Sequence, residues 1–392
     1  MHIKEKPEDF CVEELTNATP GNRGDYGLYR LEKQGWTTHD AIRIIRERWR
    51  LERKRISYGG LKDRHAKTVQ FITIFHGPDR KLTHANLSLT YLGKVEEAYH
   101  SDNIQANRFA VVVRAMSTGQ VEAAFSALAE VRSAGVPNYY DDQRFGSVST
   151  PGSEFFARQV ILGEHEAALR NVLTSPYAFE RAAAKKEKQV LRLHWGDWPA
   201  CLKLLPRGPA RTAANHLAVH PDDFRGALES LPAESRTLYL SAYQSHLWNH
   251  MLADWIGEHV ASRDLTFVAL KLGDVPMPRR LDDATHALAG HLQLPLHSAR
   301  TQLADDDARK PYYDRVLADE GLTAEQFKLK GFRKLFFSKG ERAAWCFPEA
   351  LEARDAPDEE HSGKHKLTLR FELPRGSYAT LLMKRIARVE DK

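Results

Sequence analysis

The chain has 392 residues, 42% hydrophobic and 28% charged, the make-up of a soluble globular protein with room for one large domain or two ordinary ones. No run approaches the roughly 18 apolar residues of a membrane span, and the opening MHIKEKPEDF lacks an apolar signal core. A cytoplasmic protein with no membrane attachment is therefore expected. The three cysteines (Cys11, Cys201, Cys346) lie far apart without CxxC spacing, and the 18 histidines form no HExxH-type pattern, so neither a disulfide scaffold nor a metal site is indicated.

The net charge of +5 is modest but unevenly spread. From Arg43 to Lys67 the cations Arg43, Arg46, Arg48, Arg50, Arg53, Lys54, Arg55, Lys62, Arg64 and Lys67 are opposed only by Glu47, Glu52 and Asp63. Such a patch suits a phosphate backbone.

In chain order, Thr37 to Leu51 predicts a helix, capped by Thr37 or Thr38, with Ala41, Ile42, Ile45 and Trp49 on one face. Ile56 to Tyr58 and Thr68 to Phe75 read as strands around the loop GGLKDRHAK, and the second is apolar on both faces, as in a covered central strand. Phe109 to Val113 is a third strand, and Val121 to Ser133 an amphipathic helix. GVPNYYDDQRFGSVSTPGSE, residues 135 to 154, carries the Gly, Pro, Asn and Asp of a long loop. Helical periods then dominate: 155 to 173, 183 to 192, 221 to 231 and 235 to 260. Strand character returns at 331 to 337 and in KLTLRFEL, PRGS makes a turn, and Tyr378 to Arg388 closes as a helix. This order predicts an α+β fold. A mixed or antiparallel sheet flanked by helices is built from residues 1–152 and 329–392, with a mostly helical module inserted at 153–328.

P-loop, GxGxxG and GxSxG patterns are absent, so no nucleotide cofactor and no hydrolase elbow is expected. The distinctive feature is Asp63, a single carboxylate among Lys62, Arg64, His65 and Lys67. Neighbouring cations favour its ionised form, and a place between two strands would shield it from water, as suits a base or nucleophile. A salt-bridged turn, with Asp63 paired to Arg64 or Lys67, accounts for the same charges.

At this point the residues resemble a family. GGLKDRHAKTVQ is similar to the signature of the TruD family of tRNA pseudouridine synthases, whose central aspartate is catalytic. KEKPEDFCVEE resembles that family's N-terminal PxDFxVxE segment, NIQANRF its G/A-N-x-F strand start, GVPNYYDDQRFG its GVPNYFGxQRFG loop, and LPRGSYATLLMKRI its C-terminal LPxGSFAT helix. LSAYQSHLWN resembles a segment of the family's inserted TRUD domain. The segments occur in family order and span nearly the whole chain.

The resemblance implies a pseudouridine-synthase-type catalytic domain carrying an inserted TRUD domain. Asp63 becomes the catalytic residue and Lys4 its salt-bridge partner; Phe10, Asn138 and Tyr378 fall at positions that contact the target uridine. Tyr140 is a further candidate contact, because other pseudouridine synthase families place a tyrosine against the base. Arg64, Lys67 and Lys384 are candidate phosphate contacts, while Gln143, Arg144 and Phe145 shape their loop. Tyr140 stands where the family usually has Phe, followed by Asp141-Asp142 in place of a glycine start. Lys384-Arg385 replaces a common Arg-Glu and is expected to leave a more basic face. The implied activity is cofactor-free isomerisation of uridine, at position 13 of tRNA, by a monomer that needs no metal. A family member acting on another RNA uridine, or a non-catalytic tRNA-folding protein, would share these features.

Overall fold

A computed structural model of the chain describes residues 2–148, 154–176, 180–333 and 335–388. Positions 149–153 of the predicted loop lie outside the described residues. The chain divides into two compact units, Met1–Val136 with Cys346–Lys392, and Pro137–Trp345. The sequence pattern puts the insertion at 153–328. The loop after Pro137 belongs to the second unit because its hydrogen bonds run there. The Tyr139 hydroxyl donates to the Pro276 carbonyl at 3.2 Å, Tyr140 and Asn249 exchange bonds at 2.8 and 2.9 Å, and Arg144 donates to the Ser245 hydroxyl at 3.0 Å.

In the first unit, ten strands of the described residues form one mixed sheet. They are β1 (His2–Ile3), β2 (Phe10–Thr16), β3 (Tyr26–Gln34), β4 (Ile56–Tyr58), β5 (Lys67–Phe75), β6 (Leu82–His84), β7 (Leu87–Val95), β8 (Ile104–Met116), β9 (Glu349–Pro357) and β10 (His365–Pro374). The order is β9-β10-β8-β2-β5-β3-β7-β6, with β1 on β8 and β4 on β5. One pairing decides where the site lies. β2 and β5 run parallel, Cys11 opposite Lys67 and Glu13 opposite Val69, whereas the other pairs in the sheet are antiparallel. Parallel strands start at the same end, so the segment before Phe10 and the loop before Lys67 meet there.

Helix α1 (Thr38–Trp49) is capped by Thr37, whose hydroxyl accepts the Asp40 N–H. Its Ala41, Ile42 and Ile45 pack on Tyr29, Leu31, Ile72 and Ile74 of the sheet. β8 extends well beyond the predicted 109–113, because its polar start (Gln105, Asn107, Arg108) hides a strand from an apolar count. Helix α2 (Thr118–Ala134) begins with a Ser117/Gln120 capping box. Helix α3 (Ala379–Ala387) is buried along its length, and Arg385 pairs with Glu130 of α2. The exposed basic face expected there is not formed. Lys384 and Arg385 are each only 6% exposed, because the helix turns both into the fold.

In the second unit the helix expected at 155–173 is divided into Phe156–Ile161 and His165–Thr174, with Gly163 at φ +80° between them. The longest helix is Ala233–His259. A hairpin, Leu265–Leu270 with Gly273–Pro278, went unread from sequence. No strand forms among the described residues of 331–337. The backbone there bonds to side chains instead: the Phe337 carbonyl accepts from Ser298 (3.1 Å) and the Ser338 carbonyl from Gln244 (2.9 Å). Among the described residues no helix is long and apolar enough to cross a membrane.

Candidate active site

The site begins with the N-terminal segment. Strand alternation places Phe10, Val12 and Glu14 on one face of β2, and all three are buried. Buried Asp9 is clamped by Arg114 of β8 through two bonds, Nε–Oδ2 at 2.9 Å and Nη2–Oδ1 at 2.8 Å. Arg114 also bonds Asp358 at 3.0 Å and Glu359 at 3.1 Å, while Asp9 accepts the Lys6 N–H at 2.9 Å. The chain before Phe10 is thus tied to the sheet, with Lys4 in the left-handed region at φ 58°. Its ammonium lies 3.4 Å from Asp63 Oδ2 and 4.3 Å from the centre of the Phe10 ring. Phe10 meets Phe109 edge-on at 6.2 Å, and Phe109 stacks on Phe371 at 5.3 Å.

Asp63 itself is held through its backbone. The buried Lys33 ammonium donates to the carbonyls of Trp36 (2.8 Å), Lys62 (3.1 Å) and Asp63 (2.9 Å). The Thr38 hydroxyl accepts the Lys62 N–H and donates to Gln70, each at 2.9 Å, and the Gln70 amide donates to the Gly60 carbonyl at 3.2 Å. The Lys62 side chain turns inward to Glu14 (3.1 Å) and Asn107 (2.6 Å). Burial pushes the Lys33 ammonium down to about 8. It also raises the Glu14 carboxyl above its ordinary value, with the Lys62 charge working against it.

These bonds fix the loop and leave its carboxylate facing out. The Asp63 side chain is 54% exposed, so the shielding expected from the flanking strands is absent. The strands grip the loop's peptide groups rather than cover its side chain.

Lys33, Thr38, Gln70, Glu14, Asn107 and Arg114 were not picked out as site residues from sequence. For Lys33 and Gln70 a signal was present: each sits in the apolar phase of its strand, Lys33 with Tyr29 and Leu31, Gln70 with Ile72 and Ile74. The others depend on strand register.

Of the remaining predicted residues, Arg64 is exposed and donates to the Gly35 carbonyl at 3.2 Å, and Lys67 opens β5, also exposed. Tyr378 is the partly buried residue before α3, reached through a turn at Gly376 (φ 87°). It follows shortly after Leu373, which pairs with Asn107, the partner of Lys62. Asn138 and Tyr140 are buried within the second unit. The Arg342 guanidinium lies 4.1 Å from the centre of the Tyr140 ring and donates to the Asn138 carbonyl (2.8 Å) and side-chain oxygen (3.0 Å). Trp248 meets the Tyr140 ring edge-on at 5.4 Å.

The family model for tRNA pseudouridine synthase D (TruD) matches residues 1–386. The chain belongs to the TruD family of tRNA pseudouridine synthases. It is 30% identical to a Methanococcus maripaludis protein assigned as tRNA pseudouridine synthase D 1, over 98% of this chain and 99% of that one. It is also 30% identical to the Aquifex aeolicus tRNA pseudouridine synthase D, over 98% of each. The crystal structure of a Methanosarcina mazei protein assigned to TruD aligns with a TM-score of 0.77 at 27% identity, covering 99% of this chain and 93% of that one. As a TruD-type isomerase, the chain presents one outward carboxylate, one ammonium beside it and an aromatic wall, all on sheet-anchored backbone.

Proposed function

We propose that the enzyme converts uridine-13 of tRNA to pseudouridine without a cofactor, with Asp63 as its catalytic residue. One observation carries this reading: the half-exposed Asp63 carboxylate stands beside Lys4 and the Phe10 wall, on a loop whose peptides are anchored from β3, α1 and β5. A uracil inside a stack is out of reach of such a group, so the nucleotide is flipped out. The ionised carboxylate begins cleavage of the N1–C1′ bond, either by attack at C1′ or by taking the C2′ proton. The freed uracil turns and C5 bonds to C1′, displacing the Asp63 carboxylate from C1′ in the first route, or in the second with the proton returned from Asp63 to C2′. A base then removes the C5 proton, for which the freed Asp63 carboxylate is the economical choice. Tyr378 stacks on the uracil and Phe10 backs the pocket, while exposed Arg64 and Lys67 hold phosphates. Buried Lys384 is left out of that contact. For Asn138 a contact with the uridine rests on the family resemblance, and for Tyr140 on the tyrosine that other pseudouridine synthase families place against the base. The proposed working form is a cytoplasmic monomer with tRNA as its partner.

The test uses tRNA tritiated at uridine C5. Wild-type protein should release tritium, and Asp63→Asn should bring release to background. Unchanged release in Asp63→Asn would remove Asp63 from the role, and none from wild type would favour a tRNA-folding protein. Mapping the product by position tests uridine-13 separately, since conversion elsewhere would overturn the position and leave Asp63 in place.

A further inference from the structure

Leu61 is 62% exposed on a loop that is otherwise tied down. On its N-terminal side the Gly60 carbonyl accepts from Gln70 at 3.2 Å, and on its C-terminal side the Lys62 N–H donates to Thr38 at 2.9 Å. The loop also lies close on β8: a Cβ at Gly59 would stand 2.7 Å from the Ile104 Cδ1 atom. Side-chain exposure alternates along it, outward at Leu61, inward at Lys62 and outward at Asp63.

A lone exposed leucine is ordinary on a protein surface. This one differs in its setting. Both flanking peptides are fixed, so the side chain cannot turn back into the core by a local rearrangement. It also sits two positions from the carboxylate to which a flipped uridine must be delivered. A nucleotide leaving its stack opens a gap between apolar base faces. An aliphatic side chain filling that gap recovers the transfer free energy it forgoes in water and offsets the lost stacking.

We propose that Leu61 is a positioning residue for the reaction, an apolar wedge that enters the RNA stack in place of the target uridine and holds that uridine out toward Asp63. The proposal rests on the reading of Asp63 and a flipped uridine given above. Leu61 carries no charge and no hydrogen-bonding group, so it senses neither sequence nor phosphate. Its loss should act on flipping and catalysis, while affinity and its salt dependence, which phosphate contacts set, stay as they were.

The experiment follows flipping and chemistry separately. The converted uridine is first located by mapping, and 2-aminopurine is placed at the nucleotide 3′ to it in full-length tRNA. With Asp63→Asn protein, which does not turn over, binding should raise the fluorescence as the neighbour unstacks. Asp63→Asn with Leu61→Ala should lose that rise while tRNA affinity stays within about twofold. With tritiated tRNA, Leu61→Ala alone should lower kcat by roughly tenfold or more, and Leu61→Met should restore most of it. An undiminished fluorescence rise, or undiminished tritium release, in the Leu61→Ala proteins overturns the wedge while the Asp63 reading stands. No release from wild type would instead sink the Asp63 reading itself.

Discussion

The Lys4 ammonium lies 3.4 Å from the Asp63 carboxylate while resting 4.3 Å from the centre of the Phe10 ring. A cation–π contact and an ion pair therefore share one ammonium, which joins two segments 59 residues apart in the chain. The side chains are 23% and 54% exposed, and a pair so open to water adds at most about 1 kcal/mol to stability. Its weight falls on the site, where it places a positive charge beside the carboxylate proposed to be catalytic.

Lys4→Met should accordingly lower kcat by roughly 10- to 100-fold, with the unfolding midpoint moving by no more than about 2 °C. Lys4→Arg, which keeps the charge but changes its shape, should fall between. Single-turnover rates and thermal unfolding measured on the same samples check this. A change confined to KM would move Lys4 from the reacting carboxylate to general RNA contact.

Lys33 makes a prediction with two opposite signs. Burial lowers it from its ordinary 10.5 to about 8, so between those values the unfolded chain binds a proton that the folded chain does not. Stability gains from this group as pH rises through that window, and its burial cost is fully present below it. Activity should go the other way. A neutral amine has two N–H groups for the three carbonyls it holds, so one of Trp36, Lys62 and Asp63 loses its donor and the loop that carries Asp63 is held less tightly. Hence kcat should fall above about pH 8 without a matching loss of stability. Lys33→Met should abolish that alkaline limb, with low activity throughout and about 1–3 kcal/mol lost for each carbonyl left without a donor. An alkaline limb that persists in Lys33→Met would belong to another group.

Much of this site could be read from contiguous sequence, and the unread part has a physical pattern. The loop around Asp63, the segment around Phe10 and the turn before Tyr378 are each short runs whose residue types suffice. Glu14, Asn107 and Arg114 become partners of the loop and of the N-terminal segment only through the register of β8 on β2, which no local pattern contains. The exposed basic face expected at Lys384 failed for a related reason. Helical phase says which residues share a side, not which side the fold covers, and here α3 is buried all round. Leu335 and Phe337 have the alternation of a strand, yet Ser298 and Gln244 supply the bonds that a neighbouring strand would have given.

The Glu14–Lys62 pair beneath the loop is open to a double-mutant cycle. Glu14 is 1% exposed, and in Lys62→Met its carboxylate would keep the Phe71 N–H at 2.9 Å but no facing charge from Lys62. That change should cost about 3–5 kcal/mol in denaturant unfolding. Adding Glu14→Gln should recover part of the loss, with a coupling energy of about 1–3 kcal/mol. The pH signature is distinct. Because burial raises Glu14 above its ordinary 4.5, the folded chain holds the extra proton just above that pH, and this group's contribution to stability falls as pH rises through the window. Lys62→Met should steepen that fall, and an additive cycle with an unchanged pH slope would show that the two residues are not coupled.

Tyr378 tests the aromatic side of the reading. It precedes α3 after the Gly376 turn, and the family motif that the segment resembles has phenylalanine there, so the proposed role falls to the ring rather than to the hydroxyl. Tyr378→Phe should keep kcat/KM within about threefold, whereas Tyr378→Ala should lose roughly 10- to 100-fold, the equivalent of one base–aromatic stack. If the stack forms only on the flipped uridine, the loss should appear in tritium release and in 2-aminopurine fluorescence, with little change in the affinity for tRNA. A loss of affinity alone would place Tyr378 on the body of the tRNA instead. A loss in Tyr378→Phe equal to that in Tyr378→Ala would transfer the function to the hydroxyl.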